Sequence, residues 1–173
     1  MNAPETIKKV SPPLRISRYG SHTSLSTAER IEVIDALTQM LGTTLGIQAH
    51  LDWLEQTLRN VSFLPVRELI RQLARTTADY AEFLITRIAD LGGYAEPASL
   101  YLLNGATQSQ CFADSLTNIY QCARRLQAAD AGLRGQHQSA IANNDFSTKI
   151  LFEECAKRNA KLLYRINKSL PHE

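Results

Sequence analysis

The sequence predicts an all-α protein, built as a four-helix bundle with a long connection between its second and third long helices. Four long segments repeat apolar residues every three or four positions, which is the spacing of one helix face. Glycine, proline and capping residues separate these segments. The 173 residues contain no alternating β-branched run that would indicate a strand. That length suits one domain with a single hydrophobic core.

The first long helix is predicted to begin at Ser26. Ser26 and Glu29, three residues apart, form a capping-box pattern. The apolar positions that follow predict a helix of about thirty residues, long for a globular protein. They are Ile31, Ile34, Leu37, Leu41, Leu45, Leu51, Leu54 and Leu58. Gly42 and Gly46 lie one turn apart within this helix, so either another helix approaches closely there or the two glycines are simply tolerated.

The second long helix is predicted to begin after "RNVSF" and to reach Leu91. Ser62 is a suitable N-cap, and Pro65 is acceptable in a first helical turn. Gly92 and Gly93 provide a C-terminal stop. The connection that follows is too long for a tight turn, and "SLYLL" within it predicts a short helix.

Two further long helices complete the predicted bundle. The third runs from Phe112 to Leu133, with a ragged end at Gly132 and Gly135. The fourth is capped by "NND" at 143–145, contains apolar residues from Ile150 onward and stops before Pro171. One long crossover between the second and third long helices is the ferritin-like topology, unlike the simple up-and-down bundle.

Composition restricts the functional classes. The net charge of +2 makes the chain no polycation, so nucleic-acid binding would have to be local. Three widely spaced cysteines, Cys111, Cys122 and Cys155, suit reduced thiols better than a disulfide framework or a zinc site. The polar N-terminus and the lack of a long apolar run predict a cytoplasmic protein without a membrane partner.

Residues 1–24 are predicted to form a flexible basic tail, ahead of a bundle that spans 25–173. Four positive side chains, Lys8, Lys9, Arg15 and Arg18, against Glu5 give the tail a charge of +3. One interpretation is a solvated, disordered terminus. The other is an arm that binds DNA phosphates without sequence specificity.

The stretch "VRELIRQLARTTADY" at 66–80 places an arginine at every fourth position. Arg67, Arg71 and Arg75 therefore form a stripe along one side of the second helix, beside an apolar face. Such a stripe can face water without partners, or it can pair with partly buried carboxylates, whose two oxygens suit the planar guanidinium.

Three segments resemble the Dps family of mini-ferritins (DNA-binding proteins from starved cells). They are "LSTAERIEVIDALTQMLGTTLGIQAH", "NVSFLPVRELI" and "RIADLGGYA". Residues 25–95 fit the family's spacing without a gap: Ser62 and Phe63 fall on its Asn-Phe, Glu68 on the Glu of its His-Glu, and 91–93 on its Leu-Gly-Gly. Residues 106–170 fit more loosely. The resemblance implies a hollow dodecamer that oxidises iron at two-fold subunit interfaces and often holds DNA with basic tails.

The resemblance also assigns the family's metal-ligand positions to this chain. They fall on Glu55, Arg67, Arg71, Glu82 and Thr86. Only the two glutamates can ligate a metal, because guanidinium offers donors and no lone pair. Two fixed positive charges also repel a divalent cation. We therefore expect a Dps-like structural or nucleoid protein with no ferroxidase activity, no catalytic residue and no cofactor, in which the glutamates pair with the arginines at a subunit interface.

Two alternatives stay open. A gap after "IQAH" would let His50 join Glu55 and Glu82 in a displaced iron site, so that the protein would oxidise and store iron. The chain can also be a scaffold for protein interactions that uses neither iron nor DNA. In the cage interpretation, three aromatic side chains are expected near the subunit interface: Trp53, Phe63 and Tyr80.

Overall fold

The computed structural model describes residues 25–60, 64–105 and 111–171. Within these ranges the chain is all-α and has no strand, which confirms the predicted fold class. The five α-helices are α1 (Thr27–Thr57), α2 (Leu64–Asp90), α3 (Pro97–Gly105), α4 (Phe112–Ala142) and α5 (Phe146–Ser169), and a 3₁₀ turn, Leu58–Asn60, follows α1. The short helix expected in the connection is α3.

The helix boundaries follow the local capping signals. The Ser26 amide donates to the Glu29 carboxylate at 2.8 Å, and the Glu29 amide donates to Ser26 Oγ at 3.2 Å, so the predicted capping box is present. The carboxylate of Asp145, the last residue of "NND", accepts from the Thr148 amide and caps α5. Gly92 has φ of 84° after the end of α2, a backbone conformation that favours glycine. The expected N-cap Ser62 lies outside the described residues.

The predicted ragged end of the third long helix is wrong. Helix α4 continues through Gly132 and Gly135 to Ala142. Each glycine lowers helix stability by only about 1 kcal/mol relative to alanine. Buried Leu133 and Ala140 anchor this part of α4 to the rest of the protein, and this packing outweighs the weak local propensity. Three residues assigned to apolar helix faces are also exposed, namely Ile31, Leu69 and Ile150.

The four long helices pack around a shared core. Helix α1 contacts α2, α3 and α4, and α5 contacts α2 and α4. Because α1 is covered from several directions, its apolar residues are not confined to one stripe. Its buried apolar side chains are Val33, Leu37, Met40, Leu41, Leu45, Ile47, Leu51 and Leu54.

The contacts of α5 define the directions of its neighbours. Asn159 contacts the Leu126 carbonyl on α4, and farther along α5 Tyr120 of α4 reaches the carbonyl of Leu170, so α4 and α5 are antiparallel. Along α2, Thr76 meets Arg165, while Phe83 lies under Arg158, which occurs earlier in α5. Helix α2 is therefore also antiparallel to α5, and α2 and α4 run in the same direction.

Helix α3 packs closely on α1 at the predicted pair of glycines. A Cβ atom built on Gly42 would lie 3.0 Å from Asn104 Nδ2, and one built on Gly46 would lie 3.3 Å from Asn104 Cβ. A side chain at either position would therefore press against α3. The Tyr101 hydroxyl of α3 also donates to Asp52 Oδ2 at 2.9 Å. Close approach is thus the reason that glycines occur here.

Two aromatic residues expected near a subunit interface differ in their environments. Tyr80 is buried in the core of a single chain, so its assignment to an interface is wrong. The helical spacing predicted a side for Tyr80 but could not show that α5 covers that side. Trp53 is partly exposed and packs against the edge of the core. The third aromatic residue, Phe63, lies outside the described residues.

Candidate functional site

The end of α1 and the beginning of α2 bring Glu55 and Arg71 together. Arg71 Nε donates to Glu55 Oε1 at 2.7 Å. The two side chains remain 40% and 26% exposed, respectively, so water screens the pair. The hydrogen bond from Arg71 is the largest cause that lowers the pKa of the Glu55 carboxyl, and the charges of Arg59 and Arg67 act in the same direction. Glu55 therefore stays ionised as the partner of Arg71.

Arg67 lies one turn before Arg71 on the same side of α2. Its Nε is buried and has no hydrogen-bond partner among the described residues. The same group of side chains contains three guanidinium groups, of Arg59, Arg67 and Arg71, and two carboxylates, of Glu55 and Glu68. The group thus has one excess positive charge and an unpaired donor, which suits an anionic partner better than a metal cation.

Glu82 and Thr86 are far from this pair. Glu82 is exposed and forms no ion pair with another described residue. It follows Arg71 by three helical turns, about 16 Å along the axis of α2. Thr86 Oγ1 donates to the Glu82 carbonyl of its own helix at 2.9 Å. The expected pairing of Glu82 with an arginine of the stripe therefore does not form within one chain, because both lie on the same straight helix.

His50 is buried in α1, and burial lowers the pKa of its imidazole. Across the parts of the chain that the structure describes, no three His, Cys, Asp or Glu side chains lie together as a metal-ligand group. The displaced iron site proposed from Glu55, Glu82 and His50 is therefore not assembled within a single subunit.

Arg75 and the basic tail complete the predicted positive positions. Arg75 is exposed on α2. The DNA-binding candidates lie outside the described residues, and their role stays a prediction: Lys8, Lys9, Arg15 and Arg18.

The sequence analysis did not find a cavity of about 180 Å³ between the end of α2 and the beginning of α5. Arg87 and Asp90, which pair at 3.2 Å, line it on one side, and Glu154 lines it on the other. Its remaining lining residues are Leu91, Ser147, Thr148, Ile150 and Leu151. These residues come from segments more than fifty positions apart, so no local pattern indicates the cavity.

Comparisons with other proteins do not assign the chain to a group. It matches no known protein family and no curated relative. In the described ranges, no helix is both long enough and apolar enough to cross a membrane.

Proposed function

We propose that this chain is the subunit of a Dps-like cage that has lost the family's iron-oxidising site and serves as a structural or DNA-binding protein of the nucleoid. The observation that carries the proposal is the Glu55–Arg71 pair. The resemblance places metal ligands at these two positions, and here one carboxylate is bound by a guanidinium group instead. An arginine in that place cannot supply a lone pair to iron.

The helix arrangement supports the proposal. Helices α1, α2, α4 and α5 enclose one core, and α2 and α4 run in the same direction. Two parallel helices that follow each other in the chain need a connection as long as the helices, and the segment with α3 provides it. A ferritin-like four-helix bundle with a long crossover has these features.

The surface near the arginine stripe supports assembly. Leu64 is strongly exposed one turn before Arg67, so an apolar and a positive side chain lie next to each other at the start of α2. Arg67 has an unpaired donor, and Glu82 has a carboxylate without an ion pair. We propose that Arg67 pairs with a carboxylate of a second copy, with Glu82 as the candidate, and that twelve subunits form the particle.

Assembly is tested by light scattering on the full-length protein. We expect a particle of about 230 kDa, which is twelve times the chain mass of 19.3 kDa. A dimer would retain the paired interface without the cage. A monodisperse monomer would contradict the proposed assembly.

Loss of iron chemistry is tested by ferrous oxidation with oxygen and with peroxide. We expect a rate no higher than that of buffer, because Arg67 and Arg71 replace ligands. A variant that restores the family's ligands, with Glu55→His, Arg67→His, Arg71→Asp and Thr86→Glu, should bind iron at the interface. Rapid oxidation by the native protein that is lost in Glu55→Gln and Glu82→Gln would favour the displaced-site ferroxidase.

DNA binding is tested by a gel-shift assay at several salt concentrations. Twelve tails of charge +3 on one particle would bind through avidity, and binding should weaken steeply as salt rises because it releases counterions. Deletion of residues 1–20 should abolish the shift without changing the particle mass. A cage that gives no shift at low salt would support the interaction-scaffold alternative.

A further inference from the structure

Three polar atoms in the core have no hydrogen-bond partner among the described residues. They are the hydroxyl oxygen of Tyr80 on α2, Oδ1 of Asp130 on α4 and Oδ1 of Asn159 on α5. The three residues are 2%, 9% and 0% exposed. Buried polar atoms are almost always hydrogen-bonded because an unpaired one loses its interaction with water. The presence of three such atoms on three neighbouring helices requires a common explanation.

The three side chains lie at the same level of the core. Asn159 Nδ2 donates to the Leu126 carbonyl of α4 at 3.2 Å. Asp130 is one turn beyond Leu126, and Cys155 is one turn before Asn159, so in the antiparallel pair these two residues occupy the adjacent level. Tyr80 reaches the same place from α2: burial raises the pKa of its hydroxyl, and the nearby Cys155 and Asp130 raise it further.

The hydrogen-bonding capacity of the three atoms identifies the occupant. Two carbonyl-type oxygens need donors, and the tyrosine hydroxyl has a proton to donate. The other oxygen of Asp130, Oδ2, already accepts from Arg134 Nε and Nη2 at 3.1 and 3.0 Å. Arg134 therefore balances the charge of this carboxylate, which favours a neutral occupant over a cation. A water molecule donates two hydrogen bonds and accepts others, as this set requires.

We infer that one buried water molecule is bound between Tyr80, Asp130 and Asn159, and that it links α2 to the α4–α5 pair. The water accepts the Tyr80 hydroxyl proton and donates to Oδ1 of Asp130 and of Asn159. This polar link holds α2 at one register along the apolar core, where leucine and isoleucine contacts alone permit sliding. The site lies inside one subunit and is independent of the proposed cage.

A crystal structure of the full-length protein at high resolution tests the site directly. We expect a single peak of density within about 2.6–3.2 Å of all three oxygen atoms. Direct hydrogen bonds among the three side chains, without such a peak, would overturn the inference. Unfolding midpoints that rise with potassium chloride but not with choline chloride would also overturn it, because they would indicate a bound cation.

A solution experiment tests the link through coupling. Tyr80→Phe should lower the urea midpoint in the native background. In an Asn159→Leu background, where the water has already lost one partner, the same substitution should produce less than half of that shift. Equal shifts in both backgrounds would contradict the shared water.

Tyr120→Phe is the matched control for this cycle. The Tyr120 hydroxyl donates to the carbonyl oxygens of Leu170 and Pro171 at the other end of α5. Its substitution should lower the midpoint by the same amount with Asn159 or with leucine at position 159. A coupling as large as that of Tyr80 would mean that Asn159→Leu disturbs the whole of α5, and the inference would fail.

Discussion

At the scale of single residues, the Glu55–Arg71 pair makes the stability of the protein depend on pH. Its hydrogen bond lowers the pKa of the Glu55 carboxyl in the folded state. A carboxyl group with a lowered folded pKa stabilises the fold in full above its ordinary pKa of 4.5. The stabilisation is lost as the pH falls through the lower, folded value. Because both side chains are partly exposed, the effect is smaller than that of a buried pair.

Glu55→Gln should therefore lower the urea midpoint at pH 7, and the difference from the native protein should shrink below pH 4.5 and disappear in stronger acid. The physical reason is that native Glu55 itself becomes neutral there. Unfolding curves from pH 3 to pH 8 measure this. Glu82→Gln is the control, since Glu82 is exposed and forms no ion pair with another described residue, and it should give no pH-dependent difference. Equal effects of the two variants would contradict a specific role for Glu55.

At the scale of helices, glycine has opposite consequences in α1 and α4. Gly46 lies under α3, where an added Cβ would come within 3.3 Å of Asn104 Cβ and 3.4 Å of the Asn104 carbonyl oxygen. An added Cβ at Gly132 would meet no atom within 4 Å. The same substitution therefore gains helix propensity at both sites but disturbs packing only at Gly46.

Gly132→Ala should raise the free energy of unfolding by about 0.5–1 kcal/mol, because alanine restricts the unfolded chain and favours the helix. Gly46→Ala should lower it, since α3 must move away from α1 to admit the methyl group. Urea unfolding of the two variants under identical conditions gives the comparison. A stabilised Gly46→Ala protein would show that α3 is held loosely, contrary to the packing described above.

At the scale of the whole molecule, the shared core separates the three free cysteines into two classes. Cys111 is exposed at the start of α4, whereas Cys122 and Cys155 are buried. Burial raises the pKa of both buried thiols, and that of Cys155 reaches about 12. The reactive form of a thiol is the thiolate, so both burial and the raised pKa protect these two residues.

An aromatic disulfide reagent at pH 8 should therefore modify one thiol per chain quickly. The other two should react only at the rate at which the core opens, and all three should react at once in denaturant. Cys111→Ser should remove the fast phase and leave the slow phases unchanged. Fast modification of two thiols in the native Cys111→Ser protein would mean that the helices do not enclose a closed core.

The features that the sequence alone determined are those that depend on neighbours along the chain. The capping box at Ser26, the cap at Asp145 and the stop after α2 involve residues within four positions of one another. Helical periodicity is also local, so the all-α class, most helix bounds and the arginine stripe of α2 could be predicted. Two glycines one turn apart indicated a close contact but could not identify its partner as α3.

Only the tertiary structure decided which side chains meet. It pairs Arg71 with Glu55, whereas Glu82 lies three turns farther along the same helix, a distance that no side chain spans. It buries Tyr80 under α5, and it carries α4 through two glycines because packed neighbours compensate for their weak propensity. These outcomes depend on contacts between segments far apart in the chain, whose free energies exceed the local preferences that a sequence pattern expresses.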